Sequence, residues 1–166
     1  MDIKFKNKYK INSIRLKNYD YSQSGSYFIT ICLKNRFDYF GQIINKMMIL
    51  NKYGKIIEKY WMEIPRHFKN IILDEFIIMP NHLHGILIIK PTNHHRPQYE
   101  RFGKPTKGSI PTIVRSFKSI STKIIHEFDK NFQWQIGFYE RVIRNNLNGV
   151  RYYIKNNPKN LNKNYQ

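Results

Sequence analysis

Two histidines separated by one residue, His82 and His84, lie inside the apolar run Phe76-Ile-Ile-Met-Pro-Asn-His-Leu-His-Gly-Ile-Leu-Ile-Ile89. Alternate residues of a strand share a face, so the two imidazoles point the same way. Pro80-Asn81 is a turn signal between two β-rich stretches, which predicts a hairpin whose second strand opens on the imidazole pair. Two co-facial imidazoles are half of a metal site. A bare His-x-His also occurs as ordinary strand residues, so a third ligand and a reactive group must come from elsewhere in the chain.

A candidate for that group sits near the C-terminus, where helical spacing runs from about Asn146 to Asn157 and Pro158 is a stop signal. At about 100° per residue, Leu147, Val150 and Ile154 cluster within about 60° and define a buried face. Tyr153 lies about 90° from the centre of that cluster, and Tyr152 about 170° away, toward solvent. Asn157 follows Tyr153 at i+4, on the same flank and one turn along. A phenol and an amide oxygen are thus presented together beside the core. An amphipathic tyrosine with its hydroxyl in water would give the same pattern.

These groups need a scaffold, and the composition bounds it. The chain has 166 residues, 41% of them hydrophobic, which fits one domain with a real core. Residues 1–18 read as a basic N-terminal arm and residues 19–166 as a single domain. No apolar run reaches the length of a membrane span, and the N-terminus lacks the apolar stretch of a signal peptide, so the expected location is cytoplasmic. The one cysteine, Cys32, falls in an apolar run and reads as a small buried side chain. A net charge of +18, from 29 Lys and Arg against 11 Asp and Glu, points to a polyanion, and nucleic acid is the usual one. The chain has no Ala and is crowded with Lys, Asn, Ile, Tyr and Phe, as an AT-rich coding sequence produces, so part of the lysine excess needs no partner.

Along the chain, a first strand is expected over about Ser26 to Lys34. A small hairpin follows, from Phe40 to Ile44 and Met47 to Leu50, joined by Asn45-Lys46. Asn51 caps a helix with apolar residues at Tyr53, Ile56, Ile57, Tyr60, Trp61 and Ile64, and Pro65 ends it. Strands over Ile71 to Met79 and His82 to Lys90 form the histidine hairpin. Residues 91–108 read as a loop, and its His94-His95 pair as solvated or phosphate-facing. Ser109 caps a second helix whose buried stripe is expected at Ile113, Phe117, Ile120, Ile124 and Phe128. Arg115, Lys118 and Lys123 lie off that stripe and suit either a solvated face or phosphate contact. A short strand follows around Phe138 to Val142, then the tyrosine helix. The order predicts an α+β, ferredoxin-like (split βαβ) antiparallel sheet with two covering helices, plus a C-terminal helix carrying the tyrosine.

Met79-Pro-Asn-His-Leu-His-Gly85, Val114-Arg-Ser-Phe-Lys118, Trp134-Gln135, Phe138-Tyr-Glu-Arg-Val-Ile-Arg-Asn145 and Tyr153-Ile-Lys-Asn-Asn-Pro158 occur in fixed order. Over about Tyr19 to Pro158 the chain resembles the single-tyrosine transposases with a His-hydrophobic-His motif, and within them the REP-associated tyrosine transposases. The resemblance implies His82 and His84 as metal ligands, Tyr153 as nucleophile, and Asn157 at the position where such proteins often place a third ligand. It implies cleavage and rejoining of single-stranded DNA at sites marked by hairpins or palindromes, through a 5′-phosphotyrosine. Arg141 and Arg144, within the matching segments, join Arg115, Lys118 and Lys123 as candidate DNA contacts.

The chemistry is coherent with those residues. A phenol with a pKa of about 10 is a poor nucleophile at neutral pH, so the phosphate must be made more electrophilic. A divalent ion does this, and two imidazoles with an amide oxygen suit Mn²⁺ and tolerate Mg²⁺. The expected state is a monomer rather than a homodimer. The competing class is a non-catalytic, single-stranded nucleic-acid-binding module of ferredoxin-like fold, which would leave His-x-His unexplained.

Overall fold

The computed structural model describes residues 16, 18–92 and 106–160. In chain order the elements are β1 (Gly25–Cys32), β2 (Gly41–Ile44), β3 (Met47–Leu50), α1 (Lys52–Met62), a one-turn α2 (Ile64–His67), β4 (Ile71–Met79), β5 (His82–Ile89), α3 (Ile110–Ile125), β6 (Tyr139–Ile143) and α4 (Leu147–Asn160). Most of the N-terminal arm and the His94-His95 segment lie outside the described residues.

Four strands form one antiparallel sheet in the order β4-β5-β1-β6, and β2 and β3 pair as a separate hairpin. With α1 and α3 as the two crossovers, this is the ferredoxin-like arrangement expected from the element order. The small hairpin is closed by Asn45 and Lys46, both at positive φ, the I′ turn whose twist suits two-residue connections.

Strand alternation divides the sheet's side chains cleanly. Tyr27, Ile29 and Ile31 of β1, with Leu83 and Leu87 of β5, pack under α1 and α3, joined by Ile57, Trp61, Ile113, Val114 and Phe117. The opposite face carries Phe28, Ile77, Ile86 and Ile88, covered by Leu147, Val150 and Ile154 of α4. Gly85 is required where the first core closes on β5: a Cβ there would meet the Trp61 ring at 2.4 Å. The glycine directly after His84 therefore serves packing on the face away from the histidines.

Three expectations need correction. The buried stripe of α3 is Ile110, Ile113, Val114, Phe117, Ser121 and Ile125, while Ile120 and Ile124 are only partly buried. Phe128 lies beyond the helix, 42% exposed, with the Lys52 ammonium 3.6 Å from its ring centroid. The stripe departs from the apolar spacing because a serine occupies a core position. The Ser121 hydroxyl donates to the Phe117 carbonyl (2.8 Å) and accepts from the Trp134 indole N–H (3.2 Å), which lets it sit fully buried. Pro65 does not end α1 but opens α2, since a proline lacks only an N–H that a first helical turn leaves unused. Nor does Pro158 stop α4, which continues to Asn160 with the proline ring buried in its last turn.

Candidate active site

His82 and His84 open β5 on the face that α4 crosses, paired with Cys32 and Thr30 of β1 and with Met79 and Ile77 of β4. Their Nε2 atoms approach to 3.1 Å, with ring centroids 4.6 Å apart. Each outer nitrogen has its own partner. His82 Nδ1 lies 2.8 Å from Asn81 Oδ1, and His84 Nδ1 lies 2.8 Å from Thr30 Oγ1. The Asn81 amide is oriented by its NH₂ group, which donates to Asp38 Oδ1 (2.9 Å) and to the Arg36 carbonyl (3.2 Å). Its oxygen can only accept, so His82 donates from Nδ1 and turns an unprotonated Nε2 inward.

Both imidazoles are held neutral. Burial, reinforced by Arg36 and partly opposed by Asp38, lowers the His82 pKa to about 4. Burial and the neighbouring His82 lower that of His84 to about 3. Metal ligation requires this neutral form. Two nitrogens at about 2.1 Å from one ion and at right angles would lie about 3.0 Å apart, close to the Nε2 separation found here. The donor set therefore fits a divalent ion. Among the described residues no group of three His, Cys, Asp or Glu is placed to hold a metal ion. Asn157 is half-buried one turn beyond Tyr153 and makes no hydrogen bond to either histidine.

The helix brings its tyrosine to this pair. The Tyr153 ring lies 5.6 Å from His84 and 6.0 Å from Phe28, both edge-on, and Phe28 stacks on His84 at 5.3 Å. Tyr153 is 48% exposed and Tyr152 72% exposed. What sets the helix over the histidines is a β-bulge. Between Leu73 and Phe76 the register slips by one residue, so Asp74 and Glu75 together oppose Ile86. Asp74 accepts from Arg151 at Nε (2.8 Å) and Nη2 (2.5 Å), and Glu75 pairs with Lys155 at 3.0 Å. The bidentate contact with Arg151 is the main cause holding the Asp74 carboxyl below its usual range. Tyr153 lies between these two cations in sequence but on the opposite flank of the helix, toward His84 and Phe28. The sequence reading missed Asn81, Thr30, Asp74 and Glu75; the adjacent acids in an otherwise apolar strand were the one signal available.

The five candidate DNA contacts separate. Arg115 and Lys123 are exposed on α3, in the layer across the sheet from the histidines. Lys118 on the same helix turns its ammonium to the carbonyls of Gln135 (2.7 Å) and Gly137 (2.9 Å), which ties down the segment before β6. Arg141 is exposed on β6 directly opposite Phe28, on the histidine face, and Arg144 is exposed just past that strand.

No family model matches the chain. Its fold is shared with two solved structures of transposase type. A REP-associated tyrosine transposase bound to a REP hairpin superposes with a TM-score of 0.59 and 20% identity, over 90% of this chain and 73% of that one. A candidate transposase from Deinococcus radiodurans gives 0.51 and 14%, over 86% of this chain and 97% of that one. In sequence, an uncharacterized protein of Haemophilus influenzae is 42% identical over 156 residues, 88% of this chain and 87% of that one. The chain belongs to the same family as that protein.

Proposed function

We propose that this protein cleaves and rejoins single-stranded DNA at hairpin-marked sites through a 5′-phosphotyrosine, with Tyr153 as nucleophile and His82, His84 and Asn157 as the ligands of a divalent ion. The observation that carries the reading is the convergence of two neutral imidazoles, Nε2 to Nε2 at 3.1 Å, with the half-exposed Tyr153 ring 5.6 Å from one of them. The shared fold with a hairpin-bound tyrosine transposase supports it.

When bound, Mg²⁺ or Mn²⁺ neutralises phosphate charge and makes the phosphorus more electrophilic. The chain's own residues do the rest. Asn81 and Thr30 hold the two rings, and the Arg151 and Lys155 clamps hold α4 with the Tyr153 ring beside His84. The bond from Tyr153 Oη to phosphorus forms as the bond from phosphorus to the 3′-oxygen breaks. The phenol proton passes to solvent, and the departing oxygen takes up a proton to become a free 3′-hydroxyl. Rejoining is the reverse attack of a 3′-hydroxyl on the phosphotyrosine, so the number of phosphodiester bonds is conserved without ATP.

The test is covalent capture. A hairpin oligonucleotide drawn from palindromes repeated around the gene should become attached to the protein when Mn²⁺ is added, with a free 3′-hydroxyl at the break. Tyr153→Phe should fold and bind DNA but yield no adduct, whereas Tyr152→Phe should remain active. An adduct mapped by mass spectrometry to Tyr152 or Tyr139 would sink the assignment, and binding without any adduct would favour the non-catalytic module.

A further inference from the structure

α4 covers the histidine face of the sheet unevenly. Its first turn packs near Ile143 at the end of β6, and its later turns are clamped to the bulge on β4. The β1–β6 side nearest the histidines is left open. There, Tyr139 pairs with Thr30, and Arg141 with Phe28, so both side chains stand on the same face as His84 and Tyr153. The alternation confirms the assignment: Val142, between them and Ile143, packs into the opposite core, while Ile143 joins the α4 cluster. Tyr139 is 44% exposed and Arg141 is exposed, and neither side chain makes a hydrogen bond or ion pair among the described residues.

At about 4.8 Å per strand, Tyr139 stands about 10 Å from His84, across Thr30. That is the distance at which the base of a nucleotide neighbouring a phosphate held at the histidines would fall. A half-exposed phenol ring offers a stacking platform that every base can use. An unpaired guanidinium two residues along, on a chain of net charge +18, offers phosphate a bidentate partner.

We infer that Tyr139 and Arg141 form a nucleotide seat beside the reactive centre, with Tyr139 stacking one unpaired DNA base and Arg141 holding an adjacent phosphate. The inference rests on the reading that single-stranded DNA lies along the histidine face. The probe is a synthetic hairpin with a single-stranded thymidine tail, and a set in which each tail position in turn is abasic. Affinities are measured by fluorescence anisotropy without added metal, so that the result does not depend on cleavage.

Tyr139→Ala should weaken binding of the intact probe by about 5- to 150-fold, and Tyr139→Phe should bind like wild type. At one tail position, removing the base should weaken the wild type and abolish the difference between it and Tyr139→Ala. Arg141→Ala should lower the slope of log affinity against log salt by about 0.7. Unchanged affinity for Tyr139→Ala, or an equal loss on the intact probe and on every abasic one, would overturn the seat. Absence of a Tyr153 adduct in the capture assay, with the Tyr139 base dependence intact, would instead defeat the cleavage reading and leave the seat standing.

Discussion

The two faces of the sheet are built in different ways. Under α1 and α3, Tyr27, Ile29, Ile31, Leu83, Leu87 and Trp61 are all fully buried, and the contact is apolar. Under α4, the buried apolar cluster is Ile86, Val150 and Ile154, supplemented by a buried histidine and two ion pairs. The first face supplies stability through close packing. The second gives up apolar area to polar groups held by specific hydrogen bonds, which position side chains at a smaller gain in burial. A scaffold anchored on one side can thus hold a reactive surface on the other.

Breaking the first face should have the largest effect. Trp61→Ala empties the space between Gly85 and Phe117 and should lower unfolding free energy by about 3–5 kcal/mol, read by urea denaturation. In the protein that remains folded, Mn²⁺ affinity should change little, because the histidines lie across the sheet.

A smaller effect should appear on the second face with pH. The folded pKa values of His82 and His84 are depressed below about 6.5, their usual value. Below that pH the unfolded chain takes up protons that the folded one rejects. Their contribution is fully present above about pH 6.5 and is lost as pH falls through about 4 for His82 and about 3 for His84. Denaturant midpoints of the wild type and of a His82→Gln, His84→Gln variant should diverge across that window. Parallel curves would mean that the imidazoles are not held neutral by the fold.

The smallest effect on stability, and the most selective for function, belongs to the clamp. Asp74→Asn keeps the side-chain shape but removes the charge opposite Arg151, and with Arg151 38% and Asp74 12% exposed the melting temperature should fall modestly. The rate of adduct formation at saturating DNA should fall by about 3- to 10-fold, because α4 is less firmly held over the histidines. Restoring the pair in reverse, as Asp74→Arg with Arg151→Asp, should recover part of that loss. A fall in DNA affinity instead of rate would show that the pair contributes to binding and not to positioning.

Local periodicity was sufficient for much of this. The alternation of a strand puts His82 and His84 on one face wherever β5 sits, and the 3.6-residue repeat puts Tyr152 outward and Tyr153 on the flank of Val150 and Ile154. Element order made the ferredoxin-like sheet legible, since two crossover helices between paired strands leave few alternatives. What periodicity could not reach depends on partners distant in sequence. The bulge at Asp74 and Glu75 exists only through the register between β4 and β5, and it alone turns two adjacent acids toward α4. Ser121 is a core residue because Trp134 meets it there, and Lys118 is engaged because the carbonyls of Gln135 and Gly137 come within its reach. The His82 tautomer likewise awaits Asn81, and the His84 ring awaits Thr30, delivered by a strand 54 residues away. A side chain's face follows from the backbone repeat of its own segment, whereas the group it meets is set by chain closure over long separations.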